Sequence, residues 1–260
     1  MTAYAAGQSM TVLDCLIPGI HVLKGLEMNG AMTCSMWKSV ACAAVVAAGL
    51  SASAAQAEIL VQDDFNRTSN TVGTTSDGNA TWVEREDRDD KITVTGERLR
   101  IEYGPGKTEN NAGVALEDFT LDDGIFSLDI KDIGSPERSL TRRQGISYRA
   151  ATLDDAMNFR GLKAFRVNVK SQWQDGLHDV ILRYGPDVLM TADVSDVNPD
   201  TVSLRVEFTG NRHKVYIDDE LVIDYIDPED RNEAGYVGIY TSYAHMEVDN
   251  FEIRQADSEE

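Results

Sequence analysis

Residues His245–Gln255 read HMEVDNFEIRQ. Met246 and Val248 keep a strand's period of two, and so do Phe251 and Ile253, but the two pairs are out of phase. One extra residue near Asp249–Asn250 puts all four on a single buried face, which is what a β-bulge does. The same insertion lines up Glu247, Asp249 and Glu252 on the opposite face. The stretch therefore predicts a bulged strand with one apolar side and one carboxylate side.

Working outward, the same period of two recurs. KITVTGERLRIEYG, from Lys91, predicts a hairpin turning at TGER, with Ile92 and Val94 answered by Leu99, Ile101 and Tyr103. HKVYIDDELVIDYI, from His213, predicts a second hairpin turning at DDE. EILVQDDF, GIFSLDIK, QGISYRA, LKAFRVNVK, HDVILRYG, TVSLRVEFTG and GYVGIYTSY supply further strands. About a dozen strands with Gly, Asn and Asp turns predict an all-β antiparallel two-sheet sandwich or barrel. Helical periodicity is nearly absent, and LDDAMNF (Leu153–Phe159) allows one short turn. With no Pro- or Ser-rich linker and no internal repeat, residues 58–254 form one expected domain, followed by an acidic tail at 255–260.

The N-terminus follows a different logic. From Met36 the chain has a short start with Lys38, an apolar run from Val40 to Leu50, and small residues ending Ala55-Gln56-Ala57. This is the layout of a secretory signal peptide spanning 36–57, with cleavage expected after Ala57. The run falls well short of the ~20 residues that cross a bilayer, so no membrane span is expected. Residues 1–35 match neither pattern and suggest an over-called N-terminal extension. Cys15, Cys34 and Cys42 are the three cysteines and all precede the cut. The exported domain, roughly 200 residues, must then be held by its core without disulfides. The formal net charge of −20 repels nucleic acid and anionic membranes.

DDFNR (Asp63–Arg67), GISYRA (Gly145–Ala150) and the run LRVEFTGNRHKVYIDDELVIDYIDPEDRNEAGYVGIYTSYAHMEVDNFEI (Leu204–Ile253) resemble the concanavalin A-like, laminin-G-like jelly-roll domains of secreted bacterial proteins. Those domains show a hairpin of the form GN…VDGELV, then a G-x-V-G-L strand and a closing strand ending FDNF-x-I. Here Asp219 stands where Gly is usual, and Glu247-Val248 where an aromatic often precedes Asp-Asn. The resemblance covers most of 59–254 and implies a jelly-roll sandwich. Because that fold carries binding modules, hydrolases, lyases and adhesion domains alike, it leaves the activity open.

Four sets of residues could carry chemistry. Glu247, Asp249 and Glu252 are spaced E-x-D-x-x-E, similar to laminarinase-like and agarase-like glycoside hydrolases. That resemblance implies a nucleophile at Glu247, an orienting carboxylate at Asp249 and an acid/base at Glu252. Set against it, the motif closes the fold instead of lining a mid-chain groove, and no Trp-rich segment precedes it. Asp63, Asp64 and Asp249 are candidates for a structural calcium joining the first and last strands. A lyase needs a Tyr or His base and a group to neutralise a uronate; Tyr148 and His178, with Arg143 and Gln144 nearby, are the candidates. Glycan binding needs exposed aromatic faces and planar polar groups. Trp173, in the polar loop KSQWQDG, is the first choice, with Tyr148 and Arg149 beside it, and Tyr184 and Trp82 behind. The sequence thus points to a secreted or periplasmic protein that binds polysaccharide without cleaving it. A lyase or hydrolase on the same scaffold is the alternative, and an adhesion or envelope scaffold the third reading.

Overall fold

A computed structural model describes residues 57–85, 91–102, 111–134, 142–172, 176–194 and 201–256, apart from the side chains of 171, 172 and 176–178. The extension at 1–35, nearly all of the leader, Trp173 and the last four tail residues lie outside the described residues. The first strands are β1 (Ile59–Asp63), β2 (Trp82–Glu84), β3 (Lys91–Val94), β4 (Leu99–Glu102), β5 (Asn111–Leu121) and β6 (Gly124–Gly134). After β7 (Arg142–Ala150) comes a one-turn helix, α1 (Leu153–Met157), then β8 (Phe165–Gln172), β9 (Gly176–Tyr184) and β10 (Asp187–Asp193). The chain closes with β11 (Thr201–Thr209), β12 (Arg212–Ile217), β13 (Glu220–Ile226), β14 (Gly235–Ser242) and β15 (His245–Gln255).

Two antiparallel sheets result. One runs β13-β12-β11-β6-β15-β4-β3 with β1 beside β15; the other runs β10-β9-β8-β7-β14-β5-β2. Both predicted hairpins form. Gly96 and Glu97 take φ of 60° and 62° between β3 and β4, and Asp218 and Asp219 take 49° and 67° between β12 and β13. Two successive left-handed residues make the tight turn whose twist suits a hairpin, so Asp219 does the backbone work usually given to Gly.

The closing strand bulges where its sequence demands. Its register against β6 shifts between Asp249 and Glu252, and Asn250 takes φ 52°. Met246, Val248, Phe251 and Ile253 are all fully buried, while Glu247, Asp249 and Glu252 share the outer face. Phe251 then joins a run of aromatic rings through the core. Trp82 meets it edge-on at 4.9 Å, Phe126 lies 6.1 Å away, and Phe126 leads to Phe208 at 5.9 Å. From Phe208 the run continues to Tyr148 at 4.5 Å and Phe165 at 5.6 Å beyond. Rings from both sheets interleave, so the sheets cannot slide without breaking several contacts.

The second sheet is covered on its outside as well. Residues of α1 pack with Ala115, Ala150 and Ala164. The approach is close enough that a Cβ on Gly113 would sit 2.6 Å from Met157 O, and one on Gly238 2.5 Å from Ala156 O. Thr152 caps α1 through its side chain to Asp155 N. This double burial explains why β5, NAGVALEDFTL, shows no alternation in sequence: its first six residues are buried on both faces. β2 and β10 are the other strands the alternation does not mark.

The bulge is directly testable. Inserting one further residue after Asn250 shifts the period again and turns Phe251 and Ile253 outward, so that variant should fail to fold cooperatively in urea, whereas deleting Asn250 leaves all four apolar residues in one regular period. Asn250→Gly should be tolerated within about 0.5 kcal/mol, whereas Asn250→Val, forced to positive φ, should cost about 1–2 kcal/mol. An insertion variant that melts like the parent would refute the register.

Candidate functional site

The three closing-strand carboxylates stand among cations. Glu247 lies 3.7 Å from Arg100, 3.8 Å from Lys131 and 4.0 Å from Arg98. Asp249 is 3.8 Å from Arg98, and Glu252 accepts from Arg254 Nε. Each of the three carboxylates thus has a cation within 4.0 Å. The arrangement is a half-exposed ion-pair network laid across β4, β6 and β15.

Asp63, Asp64 and Asp249 do not share a site. Asp63 is fully buried, and Arg67 takes both of its carboxylate oxygens. Trp82 Nε1 donates to Asp63 Oδ2 at 2.7 Å and Phe65 N to Oδ1 at 2.9 Å. Asp64 is exposed, and Asp249 belongs to the outer network. Among the described residues no three Asp, Glu, His or Cys side chains are grouped to hold a metal ion.

Three glycan-binding expectations are corrected by burial. Tyr148 is fully buried, stacked between Phe208 and Phe165, so its ring has no face for a sugar. Trp82 is likewise in the core. Arg149, 6 % exposed, takes φ 49° at the end of β7. It donates to Asp122 O at 2.7 Å, Arg231 O at 3.1 Å and Asp123 Oδ1 at 2.9 Å. It ties loops together and does not present a free guanidinium. The lyase pairing also changes. Tyr148 Oη shares a 3.0 Å hydrogen bond with His213 Nδ1, inside the sandwich and away from solvent. The side chain of His178 lies outside the described residues, as does Trp173.

Among the described residues, a cavity of about 380 Å³ opens where β7, β8 and β9 end. Tyr184, Phe165, Arg149, Lys163, Arg231 and Asn232 contribute to its lining, together with three acidic residues, Glu229, Asp230 and Glu233. Tyr184 is held from two sides: Phe165 meets it at 4.9 Å and the Arg231 guanidinium lies 4.1 Å over its ring. Arg231 is itself fixed by buried Asp227 through two side-chain bonds of 2.6 and 2.8 Å. Those bonds hold the Asp227 carboxyl below its ordinary pKa and raise that of Arg231. Of this set the sequence singled out Tyr184 and Arg149; Asp227 and Arg231 carry no local signal, since DPEDR reads as an ordinary charged turn.

Two effects should be measurable. Asp227→Asn leaves Arg231 only the exposed Glu229, 3.4 Å away, as a charge partner and should cost about 3 kcal/mol in urea unfolding; a change under ~0.5 kcal/mol would mean the Asp227–Arg231 pair does not hold this loop. His213 titrates well below an exposed histidine. Burial first, then Arg149, push its pKa down to about 3; Asp227 pulls it up by less than either, and Arg231 adds a smaller lowering. Between that value and the ordinary 6.5 only the unfolded chain takes up the proton, so stability falls as pH drops through this window. The slope attributable to His213 is about 1.4 kcal/mol per pH unit. His213→Gln should flatten the pH 6.5 to 4 stability profile by that much; parallel profiles would count against the assignment.

No protein-family model matches the sequence, and no curated protein matches it. Solved structures do. The catalytic domain of an endo-1,3-β-glucanase (laminarinase) from Thermotoga petrophila aligns over 78% of this chain and 99% of its own, at 10% identity and TM-score 0.54. A Bacillus licheniformis β-glucanase aligns over 78% and 100%, at 9% identity and TM-score 0.53. A Bacillus subtilis protein of unknown function with a galectin-like fold aligns over 78% and 100%, at 11% identity and TM-score 0.53. Likeness at such identities establishes architecture and not activity. The described chain folds as a concanavalin A-like jelly roll.

Proposed function

We propose that this is an exported protein that binds polysaccharide without cleaving it. The observation that carries the reading is the cavity at the β7–β9 end, where an aromatic side chain and several planar polar groups converge on a hollow of about 380 Å³. A fixed Tyr184 beside Lys163, Asn232 and Arg231 has the mixed apolar and hydrogen-bonding character that sugar rings require. The ion-paired state of Glu247, Asp249 and Glu252 supports the non-catalytic side. Neighbours of this fold include enzymes that act on β-glucans, which keeps glycan as the ligand class. Export rests on the leader at 36–57, with release to the periplasm or medium after Ala57. Among the described residues no helix is long and apolar enough to cross a membrane.

A panel of polysaccharides in native affinity gels tests the reading, with 235 nm absorbance and reducing ends followed in parallel. Retention by at least one polymer is expected, without turnover. Tyr184→Ala should weaken that retention at least fivefold, and Trp173→Ala should weaken it too. Reproducible cleavage would overturn the non-catalytic reading, and absence of retention on every polymer would overturn glycan binding.

A further inference from the structure

The outer face of the second sheet carries a cluster of cations that the fold does not neutralise. Three rungs cross β14, β7, β8 and β9 in register: Ser242–Arg143–Lys170–Asp179, Tyr240–Gly145–Asn168–Ile181 and Gly238–Ser147–Arg166–Arg183. Lys170 and Asp179 pair at 2.6 Å. Arg143 and Arg183 have no carboxylate partner among the described residues. Arg183 donates only to Pro186 O, at 3.0 Å, and both guanidiniums converge on Phe159, 4.6 and 5.9 Å from its ring centre. Arg166, fully buried, is held by the carbonyls of Gly185 and Gly161. The carboxylate that acts on it, Asp155, is already committed to Leu162 N at 2.7 Å and Thr152 Oγ1 at 3.0 Å.

Beneath Phe159 the donors are also unspent. Gly145 has no side chain, so Tyr240 reaches across it and donates to Asn168 Oδ1 at 2.7 Å. Asn168 is fully buried, and its Nδ2 has no partner; nor do the Nε atoms of Arg143, Arg166 and Arg183. Buried donors left without partners are costly, and adjacent guanidiniums repel. Burial first and Arg183 second lower the Arg143 pKa. In a chain with net charge −20, Arg143 and Arg183 over the half-buried Phe159, with buried Arg166 on the same rung as Arg183, form a local reversal of sign.

We propose that Arg143 and Arg183, flanking Phe159 over the Tyr240–Asn168 pair, form a binding site for the oxyanion of an acidic sugar. An incoming carboxylate or sulfate accepts from the guanidinium forks, and the Phe159 ring meets the C–H face of the same residue. That the anion is carried by a sugar rests on the glycan-binding reading above; the anion site itself rests only on the geometry. It shares no residue with the lining of the Tyr184 cavity, so the two are separable by mutation.

The experiment compares the full domain with Arg143→Gln/Arg183→Gln in affinity gels containing polygalacturonate, dextran sulfate or neutral laminarin, at low and high salt. Expected is retention on a polyanion that weakens at least tenfold in the double variant and fades with salt, while laminarin behaviour is unchanged. Retention on polygalacturonate alone assigns a carboxylate, and on dextran sulfate alone a sulfate ester. Arg212→Gln, on the other sheet and paired with Asp224, is the control for general charge. The proposal fails if the parent binds neither polyanion, if the double variant binds as well as the parent, or if Arg212→Gln loses as much. A melting temperature within about 2 °C of the parent shows that a loss is local. If the double variant melts well below that, Phe159→Ala and Arg143→Lys serve instead; unchanged polyanion retention in both overturns the site. Loss of neutral-glycan retention on Tyr184→Ala with polyanion retention intact would leave this site standing apart from the cavity.

Discussion

One inserted residue governs this molecule. The bulge at Asp249–Asn250 lets an eleven-residue strand keep Met246, Val248, Phe251 and Ile253 on one side despite a broken period. β15 lies between β6, β4 and β1, so its register sets that of its neighbours. Phe251 then sits where Trp82 and Phe126 can both reach it, and the interleaved rings hold the sheets in a single alignment. A one-residue slip would send every side chain beyond the bulge to the wrong face. Without disulfides among the described strands, this packing must supply the fixed relative position that any surface site depends on.

The two outer faces are treated differently by the chain. On the first sheet, the carboxylates of β15 are matched by Arg98, Arg100, Lys131 and Arg254, producing an exposed network of the kind worth little in stability but good for solubility. On the second, α1 and the residues after it lie across the strands and bury alanines and glycines that would otherwise face water. That cover leaves two places where polar groups remain available: the Tyr184 cavity at one end and the arginine cluster around Phe159. Both owe their shape to the same connection between β7 and β8.

Several elements could be read from their residues alone. The paired left-handed turns at Gly96–Glu97 and Asp218–Asp219 follow from hairpins with short polar loops, and the bulge follows from Met246, Val248, Phe251 and Ile253 together. β5 could not be read, because a strand buried on both faces loses its period of two. Tyr148 illustrates a second limit. Alternation correctly groups Gln144, Ile146 and Tyr148 on one side of β7, yet says nothing about which side meets the other sheet. Arg149 failed for a related reason: its left-handed backbone swings the guanidinium into the Asp122 and Arg231 carbonyls, a geometry set by loops far away in sequence.

The amino-acid sequence by itself determined the all-β class, the two hairpins, the bulged closing strand and the net charge of −20. These depend on local period and composition, which are properties of neighbours along the chain. Tertiary structure alone decided which acidic residues meet cations, that Asp63 is occupied by Arg67, and that Arg143, Phe159, Arg183 and Tyr240 come together. Those contacts join strands that pair across long sequence separations, and no window of residues contains the information on which partner each will find.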